Sequence, residues 1–117
     1  MDKTCRVCSI TEKELGKPFP ASYGAQCSTC KNGKYRYGLN RLQQLELLKK
    51  QNNSCAICEK DIKLFQGNGK QTAQIDHKPG TQGNNAIVRG ILCFDCNNRL
   101  SNSTARWLKR AIQYLER

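Results

Sequence analysis

Long apolar runs are missing from this sequence, and no stretch approaches the roughly 18 residues that a membrane-spanning helix needs. Aromatic residues make up 7% of the 117 positions and hydrophobic residues 38%. Such a chain cannot bury a large apolar core, and its length suits one small domain or a domain with an appendage. The opening segment, MDKTCRVCSITEKELGKPF, lacks the apolar stretch and cleavage site of a secretory signal. A soluble, cytoplasmic protein with no membrane partner is expected, in a compartment that keeps thiols reduced. Acidic residues are also scarce. Nine Asp and Glu face 20 Lys and Arg, a formal net charge of +11, which eight thiolates on two Zn²⁺ ions would lower to +7. Either value suits a polyanionic partner such as nucleic acid.

Cysteine, by contrast, is abundant. Eight residues fall into four CxxC pairs with none left over: Cys5–Cys8, Cys27–Cys30, Cys55–Cys58 and Cys93–Cys96. Each pair turns two sulfurs toward one point, as two corners of a tetrahedral zinc site require, and two pairs close a four-thiolate shell. Pairing in sequence order puts Cys5, Cys8, Cys27 and Cys30 on one ion and Cys55, Cys58, Cys93 and Cys96 on another. Spacing alone leaves cross-pairing of the knuckles open. Disulfides would need an oxidising compartment, and a CxxC loop closed on itself is usually redox-active.

Residues 9–26 hold two prolines and two glycines and read as a loop-rich ribbon. A basic linker, KNGKYRYG, interleaves Lys31, Lys34 and Arg36 with Tyr35 and Tyr37. A helix follows, with Asn40 and Gln43 as a capping box and Leu39, Leu42, Leu45 and Leu48 as its core stripe, ending at Gln51–Ser54. Residues 61–72 predict a short strand and a turn at Gly67–Asn68–Gly69. AQIDHK reads as a strand, 78–86 as a polar loop, and IVRGILC as a second strand leading into a helix at the fourth knuckle. A last amphipathic helix runs from about Thr104 to Arg117, with Trp107, Leu108, Ile112 and Leu115 on its buried side. Lys31, Lys34 and Arg36, with Arg106, Lys109 and Arg110 of that helix, are the candidate nucleic-acid contacts. No internal repeat is evident beyond the knuckles.

The single histidine directly follows an aspartate, as Asp76–His77. Neighbours on a strand face opposite sides unless a bulge redirects one, so the two could do different jobs at one site. Their setting is strand, loop, strand and helix, with Asn97 at the start of that helix. The string CAIC…IDHKPG…VRGILCFDCN resembles the phage recombination endonuclease VII family of HNH (His-Me finger, ββα-metal) endonucleases. RYGLNRLQQLELLKKQNNSCAIC is similar to the segment preceding that motif in relatives, and CRVC…CSTC to an extension many of them carry. The resemblance implies a small zinc-stabilised α+β domain with a ββα-metal core, flanking helices and an N-terminal zinc ribbon. Residues 1–36 would form the ribbon and basic linker, and residues 37–117 the nuclease domain.

By the same resemblance, Asp76 and Asn97 would bind one catalytic Mg²⁺ or Mn²⁺, and His77 would be the general base of DNA phosphodiester hydrolysis by a one-metal mechanism. Cys55, Cys58, Cys93 and Cys96 would hold structural zinc, as would Cys5, Cys8, Cys27 and Cys30. The chemistry is consistent: a hard cation prefers carboxylate and amide oxygens, and imidazole exchanges protons near neutrality. Asn97 could instead be only the N-cap of its helix. Asn84 or Asn85 is a candidate to orient the imidazole, and Arg89 to meet phosphate. Lys78–Pro79 stands where some relatives carry a second acidic residue and a second histidine, and Leu100 where a junction-resolving relative has an acidic one. Branched DNA and a nicked duplex are thus both open as substrate and outcome, as are monomer and homodimer. The competing function is a non-catalytic zinc-ribbon module that only binds DNA.

Overall fold

The computed structural model describes residues 2–65 and 73–117. The turn expected at Gly67–Asn68–Gly69 lies outside them. Two knuckles of the same construction organise the chain, 50 residues apart. In the first, the Cys5 amide donates to the Ile10 carbonyl and the Ser9 amide to the Cys5 carbonyl, both at 2.8 Å. In the second, Cys55 donates to Lys60 at 2.8 Å and Glu59 to Cys55 at 3.0 Å. The residue after each knuckle's second cysteine takes a positive φ, 66° at Ser9 and 64° at Glu59. Single bridges, Thr4 with Thr11 and Ser54 with Asp61, close the two turns. Where a short strand was expected over residues 61–72, the described part shows the Ser54–Asp61 bridge and no strand. The chain is occupied there in closing the knuckle, with the Ile62 amide on the Asn53 carbonyl at 3.0 Å.

Helix α1 (Glu12–Leu15) lies within the ribbon and opens on a capping box of Thr11 and Glu14. The Glu12 carboxylate accepts from the amides of Lys3 at 2.8 Å and Phe19 at 2.6 Å. Those two amides hold its pKa below the ordinary carboxylate range and tie the segments on either side of α1 to it. The segment expected as a basic linker is helical: α2 runs Ser28–Tyr37, continuously past residue 36, where ribbon and nuclease domain are expected to divide. Cys27 starts it, and Gly38 ends it in the left-handed conformation (φ 70°). Lys34 and Arg36 fall in its last turn, where the helix dipole favours cations. Cβ atoms at Gly38 would lie 2.8 Å from the Gly83 carbonyl oxygen, so this position needs glycine for space as well as for φ.

Helix α3 (Arg41–Lys50) has the expected capping box, Asn40 with Gln43. Its buried face is rotated from the leucine stripe. Leu48 is buried and Leu45 and Leu47 are half-buried, but Leu42 is exposed and Gln44 is buried in its stead. The reason is hydrogen bonding. Gln44 reaches the Leu39 carbonyl at 3.1 Å, and Gln51, one turn beyond Leu48, reaches the Ile91 carbonyl at 2.9 Å.

Strands β1 (Gln74–His77) and β2 (Val88–Leu92) form a two-stranded antiparallel sheet. A polar loop with a 3₁₀ turn at Gly83–Asn85 joins them, and Cys93 then caps α4 (Phe94–Ser101), which packs on both strands. Both amide groups of the Gln51 side chain pair with Ile91, accepting from its N–H and donating to its C=O at 2.9 Å each. This mimics a third strand on the free edge of β2.

Three small clusters make the core, and two consist mainly of cysteine. One gathers Cys5, Cys8, Cys27 and Cys30 around Phe19; another sets Cys55, Cys93 and Cys96 against Leu92. Only the third, Leu48, Leu64, Ala73 and Ile91, is an ordinary apolar core. Helix α5 (Ala105–Leu115) starts next to Thr104, as expected, and the Thr104 side chain caps it. Its apolar face is not buried, contrary to expectation: Trp107, Ile112, Tyr114 and Leu115 are all exposed, and Leu108 and Ala111 are half-buried. No element of the described chain covers that face. No helix among the described residues is long and apolar enough to cross a membrane.

Candidate active site and metal centres

A defect in the sheet brings the chemical side chains together. Asp76 pairs with Gly90 but His77 pairs with Val88, so β2 advances two residues while β1 advances one. Arg89 is the extra residue of this bulge. Such a bulge re-aims side chains that regular alternation would send to opposite faces. Asp76, His77 and Arg89 accordingly line one cleft of about 430 Å³ with Asn97, walled by Ile75, Leu100 and Leu108. Asn97 is in the first turn of α4, its amide on the Cys93 carbonyl at 3.0 Å, so Cys93 is the N-cap and Asn97 is not. Asn98 is exposed and outside the cleft lining.

Two contacts in this cleft were not expected. Arg89 Nε donates to Asp76 Oδ2 at 2.7 Å and its Nη2 to Oδ1 at 2.9 Å, a two-point ion pair on a carboxylate only 13% exposed. The hydrogen bond and charge of Asp76 raise the Arg89 guanidinium above its ordinary range. The Tyr37 ring meets the His77 imidazole edge-on, with centroids 5.4 Å apart and planes at 65°. Tyr37 ends α2, so the helix that begins at Cys27 buttresses the histidine. Asn84, expected as an alternative orienter, lines a different groove. Neither contact had a sequence signal beyond a tyrosine in a basic segment and an arginine on a strand.

The eight cysteines gather into two sets of four in sequence order, which settles the pairing of the knuckles. Within each set all sulfurs lie within 4.8 Å of one another, and none is in a disulfide. Tetrahedral coordination at roughly 2.3 Å per Zn–S bond places sulfurs roughly 3.8 Å apart. The Sγ separations of Cys8–Cys27 and Cys58–Cys93 are 3.7 and 3.8 Å. Both groups could therefore hold structural zinc. The electrostatics agree. Burial works to raise the Cys5 thiol, but the Cys27, Cys8 and Val7 amides and the Cys8 thiol outweigh it and bring it to about 6. The Cys55 thiol is likewise brought to about 6, its burial offset by the amides of Cys58, Cys93 and Ile57 and by the Cys58 thiol. In the same groups burial, then neighbouring sulfurs, push Cys96 up to about 12, and burial raises Cys27 and Cys30 as well. Four thiolates can coexist there only around a cation.

The donor set in the cleft suits a different metal. Asp76 and Asn97 offer a carboxylate and an amide oxygen, the ligands of Mg²⁺ or Mn²⁺, in an open site with room for water and phosphate.

The candidate nucleic-acid contacts are dispersed. Lys31 and Lys34 share a groove with Gln26, Tyr35, Gln82 and Asn84. Arg36 lines another depression beside Tyr37. Arg106, Lys109 and Arg110 are exposed on α5, and Arg110 borders its uncovered apolar face.

The family model described as recombination endonuclease VII matches residues 31–117, from the middle of α2 to the last residue. No curated protein and no solved structure matches the chain.

Proposed function

Because the chain belongs to the recombination endonuclease VII family, a family of nucleases acting on DNA, we propose that it hydrolyses DNA phosphodiester bonds at the Asp76–His77–Asn97 cleft, as an HNH-type (ββα-metal) endonuclease using one divalent metal. The observation that carries this reading is the convergence of those three side chains on one cleft through the bulge and α4. The Asp76 carboxylate and the Asn97 amide oxygen would hold the Mg²⁺ or Mn²⁺. When bound, that ion supplies positive charge against the developing charge on the phosphate and the departing 3′ oxygen. His77 takes the proton of the attacking water as its oxygen bonds to phosphorus, and the bond from phosphorus to the 3′ oxygen breaks. The products are a 5′-phosphate and, after protonation by solvent, a 3′-hydroxyl. Tyr37 packs edge-on against the imidazole and restrains its ring. The zinc sites hold the knuckles on α2 and α4 and take no part in the reaction, since four thiolates leave no open position. Lys31, Lys34 and Arg36, with the cations of α5, would contact phosphates along the duplex.

The reading is tested on supercoiled plasmid. With Mg²⁺ or Mn²⁺ the wild-type protein should produce open-circular or linear DNA, and chelation of the divalent ion should stop it. Salt-sensitive binding to DNA without cleavage of supercoiled, linear or branched substrates would favour the non-catalytic binding module.

A further inference from the structure

The one ion pair among the described residues lies inside the proposed active site, on the carboxylate that the reaction needs free. Arg89 engages both Asp76 oxygens, at 2.7 and 2.9 Å, in the two-point manner that makes arginine–carboxylate pairs specific. Arg89 is there because it is the extra residue of the bulge, between the Val88 opposite His77 and the Gly90 opposite Asp76. The two ends of the pair differ in freedom. The Asp76 side chain is 13% exposed and fixed on the sheet, whereas that of Arg89 is 52% exposed and can swing toward solvent without opening the core. A divalent ion on Asp76 would sit against the guanidinium, and two like charges at that separation repel. In a DNA-free protein the guanidinium and the metal are therefore competitors. A DNA phosphate entering the cleft offers the guanidinium another planar-matched anion.

We propose that Arg89 gates the divalent-metal site: it occupies the Asp76 carboxylate in the DNA-free protein and transfers to a DNA phosphate when substrate enters, leaving Asp76 to the metal. This rests on the reading of Asp76 as a metal ligand. It gives the protein a resting state with weak metal affinity, and it makes DNA and metal binding mutually reinforcing.

The test is a titration of the zinc-loaded protein with Mn²⁺, followed by the electron paramagnetic resonance signal of the free ion, without DNA. Wild type is compared with Arg89→Gln, Arg89→Ala, Asp76→Asn and the Arg89→Gln/Asp76→Asn double variant, each checked for zinc content and circular dichroism. Both Arg89 variants should bind Mn²⁺ on the order of tenfold more tightly than wild type, the Asp76 carboxylate being freed of its guanidinium partner. Asp76→Asn and the double variant should bind weakly and alike. Loss of affinity in Asp76→Asn with no gain in either Arg89 variant overturns the gate while leaving the metal site standing. Unchanged affinity in Asp76→Asn overturns the reading of Asp76 itself. For the transfer to phosphate, DNA affinity is measured against salt with Mn²⁺ present, in a His77→Ala background that prevents cleavage. Adding Arg89→Gln should reduce the slope of log K against log salt by roughly 0.9, one phosphate contact; an unchanged slope overturns that half of the proposal.

Discussion

Tyr37 and His77 show how a single residue far along the chain sets the chemistry of another. The tyrosine ring stands edge-on to the imidazole at 5.4 Å, a favourable arrangement worth about 0.5–1.5 kcal/mol beyond burial. Tyr37→Phe keeps the ring and should keep cleavage within about twofold, while Tyr37→Ala should lower kcat by up to roughly tenfold at little cost in DNA affinity. Equal kcat for Tyr37→Ala and wild type would remove Tyr37 from the site. At this scale the sequence was legible where residue type and chemistry coincide. Cysteines only in pairs point to two four-sulfur groups unaided, and the structure gathers them so; the lone histidine after an aspartate marks a candidate whose role comes from the family resemblance and not from the pair itself. Tyr37 and Arg89 were not legible, because what matters is a ring contact and a bulge that no local pattern encodes. Gln51 was equally silent. It lies at the end of a helix, and only the folded chain shows its amide pairing with both backbone groups of Ile91.

Elements were read best where their ends carry side-chain caps. Helix α3 begins at Asn40 and α5 at Thr104 as the sequence indicates, because each supplies an oxygen to an otherwise unpaired amide. The strands around Asp76 and Arg89 were equally plain, the second from its β-branched residues Ile87, Val88 and Ile91. Helix α2 was missed: its cap is Cys27, whose side chain makes no capping hydrogen bond, and its glycine and tyrosines lower helix propensity. The leucine face of α3 is rotated by a fraction of a turn from the pattern of hydrophobicity alone, because the buried Gln44 and the half-buried Gln51 each bond a backbone group. Gly38 carries the prediction at this scale, since it ends α2 and meets the loop between the strands. Gly38→Ala puts a Cβ both at positive φ and 2.8 Å from the Gly83 oxygen, whereas Gly80→Ala meets positive φ with no atom within 4 Å. Positive φ alone costs roughly 1–2 kcal/mol. Urea unfolding should therefore show Gly38→Ala losing more stability than Gly80→Ala, and equal losses would contradict the close packing of α2 on that loop.

Across the whole molecule, two cysteine clusters stand in for a core the composition cannot provide. Structural zinc contributes about 10–16 kcal/mol of apparent binding free energy, as much as the roughly 5–15 kcal/mol total stability of a small domain. Metal analysis should find two zinc ions per chain, and prolonged chelation should unfold it. Cys55→Ser should remove one zinc and collapse the sheet bearing Asp76 and His77, because Cys55 packs with Leu92 at the end of β2. Cys5→Ser should remove one zinc and leave that sheet intact, since the Cys5 cluster packs on Phe19 and the ribbon. One zinc in the wild type, or a folded, active Cys55→Ser protein, would contradict this division of labour. Helix α5 was legible as amphipathic, but whether a helix face is covered depends on what packs against it, and within the described chain nothing does. The central claim joins all three scales: the zinc-held scaffold exists to present His77 to a phosphodiester. It is tested most directly by comparing wild-type and His77→Ala protein in nicking of supercoiled plasmid, with zinc content and DNA affinity measured on the same preparations. Cleavage should fall by about 10²–10⁴-fold with two zinc ions and DNA binding retained, and equal nicking by the two proteins would contradict the account.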